Sequence, residues 1–334
     1  MISFLLGICL LASCRFLDHE DKPDISRIQI ETEFLRFEKA LFEADTSQWN
    51  NEIQSLKQDF PDFYELFVQQ IMQFGSIRNP QHALQLKDFI SNPDIRDLYN
   101  KSIEQYPNIN FIEKDFTTAF GYFKHYFPNK SIPKVITHIS ALGPAALTYD
   151  SLLIGINLDK FLGKESPFYQ SVDIPKYLSR RFEKEYITAV GMKAFAQDLY
   201  PPPASGRLID QMIYNGQLIY FLEKVLPDAP DSIISNFSQK HLNWLAASEE
   251  NIWAYFVEND LLYENNARKY GKYINEAPTT PGMPKESPGQ VGCWLGWQIV
   301  RAYMERHPDT PLPELMAIKD GQKVLQKARY KPKR

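Results

Sequence analysis

The chain has 334 residues, 44% hydrophobic and 23% charged, a composition that supports a sizeable apolar core and excludes a disordered or fibrous protein. Its net charge is −4 and no block of Lys and Arg offers a phosphate track, which argues against nucleic acid as a partner. No Walker-type or Gly-x-Gly-x-x-Gly stretch occurs, so nucleotide use has no support either.

The N-terminus opens with a short apolar run, Phe4-Leu5-Leu6-Gly7-Ile8-Cys9-Leu10, followed by Leu11-Ala12-Ser13-Cys14. That is the form of a bacterial lipobox: small residues admit a membrane peptidase, and the thiol is then acylated. The run is well short of the ~20 apolar residues that span a bilayer. Residues 1–13 are therefore predicted to be a lipoprotein signal peptide, Cys14 the lipid attachment site, and 14–24 an acidic tether. The mature chain is expected to be anchored in the cell envelope, most simply at the outer membrane. With Cys9 removed and Cys14 acylated, Cys293 stands alone and no intrachain disulfide can form.

Residues 25–36 alternate in polarity and predict a first strand. From 34 to about 128 the apolar spacing is helical, with helices predicted over 81–90, 93–106 and 110–127. Three short β-branched or apolar runs between 133 and 158, separated by tight turns, predict a small sheet. Helices follow over 174–182, 183–199, 208–226, 231–236, 241–258, 291–307 and 311–327. The Pro- and Gly-rich stretch 278–289 reads as a long loop of the kind that is often functional. Together these predict an α+β, mostly helical fold: one domain over 25–330 with a three- to four-stranded sheet and helices packed around it. Its helical N-terminal part would be 34–128, its sheet and cleft helices 129–330.

The order strands, long helix, second apolar helix is that of a zincin metallopeptidase core. Such a core needs His-Glu-x-x-His to hold zinc and activate water. The six histidines, His19, His82, His125, His138, His241 and His307, never fall four apart. The first helix instead reads Ile187-Thr188-Ala189-Val190-Gly191-Met192-Lys193-Ala194-Phe195-Ala196-Gln197, and the second shows Tyr214-Asn215-Gly216. No catalytic residue, metal site or cofactor is therefore predicted. Ser205-Gly206 lacks a nucleophile elbow, and Cys293 sits in an apolar run as a packed thiol would. Arg180-Arg181 could hold an anion, but a solvated helix face is the plainer reading.

Several segments in order resemble the gliding-motility lipoprotein B family of the Bacteroidota. They are Phe34-Leu35-Arg36-Phe37-Glu38-Lys39-Ala40-Leu41-Phe42, Asp59-Phe60-Pro61-Asp62-Phe63-Tyr64, Gly155-Ile156-Asn157-Leu158-Asp159-Lys160-Phe161-Leu162-Gly163, Tyr177-Leu178-Ser179-Arg180-Arg181-Phe182, Met212-Ile213-Tyr214-Asn215-Gly216-Gln217-Leu218-Ile219-Tyr220-Phe221, and Pro288-Gly289-Gln290-Val291-Gly292-Cys293-Trp294-Leu295-Gly296-Trp297-Gln298-Ile299-Val300-Arg301-Ala302-Tyr303-Met304. The resemblance implies a zincin-like fold that has lost its metal, and protein partners in the motility and secretion apparatus. The expected function is a non-catalytic scaffold or assembly factor. The alternative is an envelope enzyme or glycan-binding protein acting on peptidoglycan, peptide or polysaccharide. A peptidase-like cleft without ligands could still bind a chain. Tyr214, Asn215, Trp294 and Trp297 are the residues expected to line it, against the plainer view that both Trp are core.

Overall fold

The computed structural model describes residues 22–141, 143–204 and 206–333, so the lipobox and Cys14 lie outside the described residues. Strand β1 (Phe34–Arg36) leads into α1 (Phe37–Phe42), α2 (Trp49–Asp59), and α3 (Pro61–Leu66), which relaxes into a π turn at Phe67–Ile71. Then come α4 (Gln81–Ser91), α5 (Pro93–Gln105) and α6 (Asn110–Tyr126). Next is the sheet proper, β2 (Lys134–His138), β3 (Ala146–Tyr149) and β4 (Leu153–Asn157). The second half holds α7 (Pro167–Ser171), α8 (Lys176–Ser179), α9 (Ile187–Leu199), α10 (Leu208–Val225) and α11 (Asp231–Ile234). It ends with α12 (Gln239–Ala247), α13 (Glu249–Glu258), α14 (Ala267–Ile274), α15 (Val291–Arg306), α16 (Leu312–Ala317) and α17 (Gly321–Ala328). This is the α+β, mostly helical architecture that the periodicity predicts. One continuous apolar cluster runs through it from Phe37 to Ala328.

The helix expected over 174–182 forms only at Lys176–Ser179, and the one expected from 183 begins at Ile187 after a 3₁₀ turn. Three further boundaries differ from the sequence expectation for local reasons. The alternating stretch 25–36 pairs only at Phe34–Arg36, because Asp24 accepts from the Ser26 amide and Ile28 N–H closes a turn on Ile25. Ile25 instead rests on Gly121 of α6. The helix expected over 241–258 starts earlier, at Gln239 under a Ser238 cap, and breaks at Ser248. The terminal helix is two: Asp320 caps a new one, and Gly321 lies flat on the backbone of Ile209. The α7 and α14 helices were not expected; each is short, which leaves little periodic pattern to read.

The sheet order is β1-β2-β4-β3, with β1, β2 and β4 parallel and β3 antiparallel at the outer edge. Asp150 and Ser151 both take positive φ in the β3–β4 turn, the conformation that suits a tight hairpin. Asp198 at the end of α9 accepts from both the amide and hydroxyl of Ser151, at 2.6 and 2.7 Å. Alternation then sets the two faces. Ile156 meets Phe116 of α6 and Gly191 of α9, where a Cβ would lie 2.5 Å from the Phe116 ring and 3.0 Å from Ile156. Gly155 and His138 face the other way, toward Phe63. His138 is fully buried between Phe63 and Phe67, at ring distances of 5.5 and 5.9 Å, and neither of its nitrogens has a hydrogen-bond partner.

Helices α10, α15 and α17 run parallel. Met212 of α10 lies against Gly292 and Gly296 of α15, and further along Glu223 receives Trp297 Nε1 at 2.7 Å and Arg301 Nη2 at 3.0 Å. Arg301 also stacks on the Trp297 ring at 3.7 Å. Gly321 opens α17 beside Ile209 and Asp210, and Ala328 at its end accepts from Arg306 Nε at 2.6 Å. The crossing itself is glycine on glycine: a Cβ at Gly296 would stand 1.9 Å from the Met212 carbonyl oxygen, and one at Gly216 2.4 Å from the Gly296 carbonyl. Just past α10, Asp228 pairs with Lys22, the first described residue.

Gly296→Ala is therefore expected to destabilise the protein by about 3 kcal/mol, since backbone must move. Leu84→Ala, at an exposed site on α4, should stay within about 0.5 kcal/mol; urea unfolding checks both. A second expectation concerns acid. Burial pushes His138 down to about 3, from 6.5 in an open chain. The unfolded state then takes up a proton that the folded state refuses, so this contribution to stability is present above pH 6.5 and is lost as pH falls. From pH 7 to 5 the loss is about 2 kcal/mol, and His138→Leu should flatten that slope in urea titrations at the two pH values.

Candidate functional site

A cavity of about 30 Å³ opens where α8, α12, the loop between α11 and α12 and the 275–290 loop meet. Its wall includes Tyr177, Arg180 and Arg181 from α8 and its exit, Phe237 and His241 around the start of α12, and Glu276 to Gln290 from the long loop. The two arginines sit just past a four-residue helix that begins at Pro175, and the chain turns there because Phe182 N–H bonds back to Ser179. Phe182 is buried against Tyr169, at 4.8 Å between rings, which fixes the turn. Both guanidiniums are thereby held half-buried in the wall instead of on a solvated helix face, which corrects the sequence reading of this pair.

The polar groups are unevenly matched. Arg181 grips Glu276 with two parallel bonds of 2.6 Å each, the fork geometry of a charge-assisted pair. Arg180 donates to the Asn236 carbonyl, and burial is the main cause lowering its affinity for a proton. His241 is capped through its amide by Ser238, while its ring Nδ1 is buried without a partner. Burial first, then the charges of Arg180 and Lys240, lower its pKa and favour a neutral imidazole. From α9, Lys193 lies near enough to Cys293, Arg181 and Glu276 to feel each charge, and burial lowers its pKa. Guanidiniums stay charged in proteins, so two of them face one carboxylate here.

The long loop is built to stay as a wall. Thr280 Oγ1 donates to the Pro288 carbonyl at 2.6 Å in a buried position. A Cβ at Gly289 would meet Ala277 O at 2.4 Å, so only glycine lets the two ends of the loop touch. Gln290 takes a φ of 63° and leads into α15, whose N-terminus has no side-chain cap. Cys293, in that first turn, is buried with its thiol donating to the Ile274 carbonyl at 3.5 Å. Burial pushes the thiol up to about 12, so it is no thiolate nucleophile near neutrality.

The residues expected to line a cleft lie elsewhere. Trp294 and Trp297 are 3% and 1% exposed within the α10–α15 contact, and Tyr214 is buried with its hydroxyl unpaired. Asn215 is half-buried and turns its amide back onto the Gln211 carbonyl at 2.8 Å. None of the four lines the cavity, because the face of α10 that carries Gly216 is turned onto α15. Of the residues that do line it, Arg180-Arg181 and the 278–288 loop were legible. Lys193, which does not line the cavity, had a signal too, as a lone cation in an apolar helical run. Glu276 and His241 had none. Among the described residues, no group of three or more His, Cys, Asp or Glu is placed to hold a metal ion, and no helix is long and apolar enough to cross a membrane.

The geometry defines a mostly helical α+β protein with a small cationic pocket walled by a pinned loop. Over residues 18–332 the chain matches the family described as Gliding motility protein GldB, and it belongs to that family, one of lipoproteins involved in gliding motility. Neither a curated protein nor a solved structure matches the chain.

Burial of Cys293 yields a further expectation. A thiol reagent at pH 8 should leave native protein unlabelled for hours and label it at once in 6 M guanidinium, to about one thiol per chain once Cys14 is acylated. Rapid labelling of the folded protein would contradict the packing described.

Proposed function

We propose that this protein is a lipid-anchored, non-catalytic scaffold or assembly factor for the gliding-motility and secretion machinery, and that it holds a partner at the cationic pocket. The observation that carries this reading is the donor set itself: Arg180, Arg181 and a neutral His241 are arranged to grip, while the one thiol nearby is kept protonated. Guanidiniums bind and orient anionic groups but neither attack nor transfer protons at ordinary pH. Family membership supplies the motility context. The lipobox supports attachment through Cys14, at the outer membrane in this reading. The order of the β3–β4 hairpin, α9 and α10 supports descent from a peptidase core that no longer carries a metal.

A photo-crosslinking residue placed at Tyr177, beside the pocket, should capture a component of the motility or secretion apparatus in the native envelope. The same residue at Leu84 should not. Mass spectrometry identifies the adducts. Turnover of casein or peptidoglycan by the purified protein, abolished by a pocket substitution, would overturn the non-catalytic reading.

A further inference from the structure

We infer that the pocket seats a carboxylate group of a partner's peptide chain, with Arg180, Arg181 and His241 as its donors and Glu276 as a resident stand-in that the partner displaces. This rests on reading the pocket as a recognition site.

Four observations converge on that ligand. Arg181 already holds a carboxylate in the planar, two-bond geometry that guanidinium and carboxylate share, so the site is shaped for this group. Glu276 itself is 40% exposed on its side chain, and can therefore swing out without unfolding anything. Charge sets the sign. Two guanidiniums line the pocket against one carboxylate, so it disfavours a cation and a partner's carboxylate can take the place of Glu276. Size sets the group. About 30 Å³ between the donors admits roughly two water-sized atoms, which suits the pair of oxygens of a carboxylate.

The remaining donors fit the same reading. The buried Nδ1 of His241 has no partner, and as N–H in the neutral ring it would donate to a carboxylate oxygen. The uncapped N-terminus of the 16-residue α15 begins at Gln290 on the cavity wall, where its dipole favours negative charge. Tyr177 and Pro278 leave a rim on which the flanking peptide can lie, with buried Phe237 beneath. The carboxylate has two sources, a chain end or an acidic side chain.

Titration calorimetry on the full mature chain in detergent separates these sources. The probes are acetylated tetra-alanine with a free C-terminal carboxylate, the same peptide amidated, an amidated alanine peptide with one central aspartate, and inorganic phosphate. The inference expects one or both carboxylate peptides to bind at least about tenfold more tightly than the amide and than phosphate. Arg181→Gln should weaken that binding about tenfold. Glu276→Gln, which frees Arg181, should strengthen it about fivefold, and a gain of affinity cannot arise from misfolding. Equal binding of acid and amide, preference for phosphate, absence of binding, or weaker binding by Glu276→Gln would each overturn the inference. If crosslinks at Tyr177 persist in any of those cases, the recognition reading stands and only its chemistry fails.

Discussion

The contact between Gly216 and Gly296 governs the second half of the molecule. With no side chain on either helix, α10 and α15 approach until backbone meets backbone, and the carbonyl of Met212 occupies the space where any other residue at 296 would place its Cβ. Everything that stabilises this pair follows from the approach. Glu223 can reach both Trp297 and Arg301, the guanidinium lies on the indole, and α17 docks its own glycine against Ile209. The same approach fixes where α15 begins, and so where the loop that walls the pocket must end.

The pocket is the place where the interior tolerates electrostatic imbalance. Charged groups inside a protein are normally paired, because desolvation is otherwise uncompensated. Two buried carboxylates follow that rule: Glu38 is buried with Arg36 and Thr137, and Asp210 with Arg207 and the Gly321 amide. Around Arg180 and Arg181 the positive groups outnumber the carboxylates. Rigid features hold this arrangement: the turn at Phe182, the Ser238 cap, and the backbone contact of Gly289 with Ala277. Preorganised donors of this kind lower the ordering cost of binding.

The fold was legible where periodicity is long and one-sided. α6, α10 and α15 came out within a residue or so of their expected ends, and the sheet runs of 133–158 were where β-branching put them. Shorter elements were not, because four to eight residues carry too few repeats and capping chemistry decides their limits. The site was legible in part. Arg180-Arg181 reads as a solvated helix face in the sequence, which cannot show that a four-residue helix ends just before it. Tyr214, Asn215, Trp294 and Trp297 are the residues a metal-less peptidase-like cleft would use, with a core position the plainer reading of both Trp. Here the glycines serve close helix packing, and the aromatics fill the core around it. His241 and Glu276 reach the pocket only through tertiary folding, from positions 35 residues apart in the chain.

The parallel course of α10, α15 and α17 gives the molecule a polarity. Lys22 meets Asp228 beyond the C-terminal end of α10, while Gln290 marks the opposite end of α15. The 16 residues of α15 span about 24 Å along that axis. The Lys22–Asp228 pair and the arginine-lined wall therefore stand at opposite ends of this helical layer, so whatever meets one end leaves the other open.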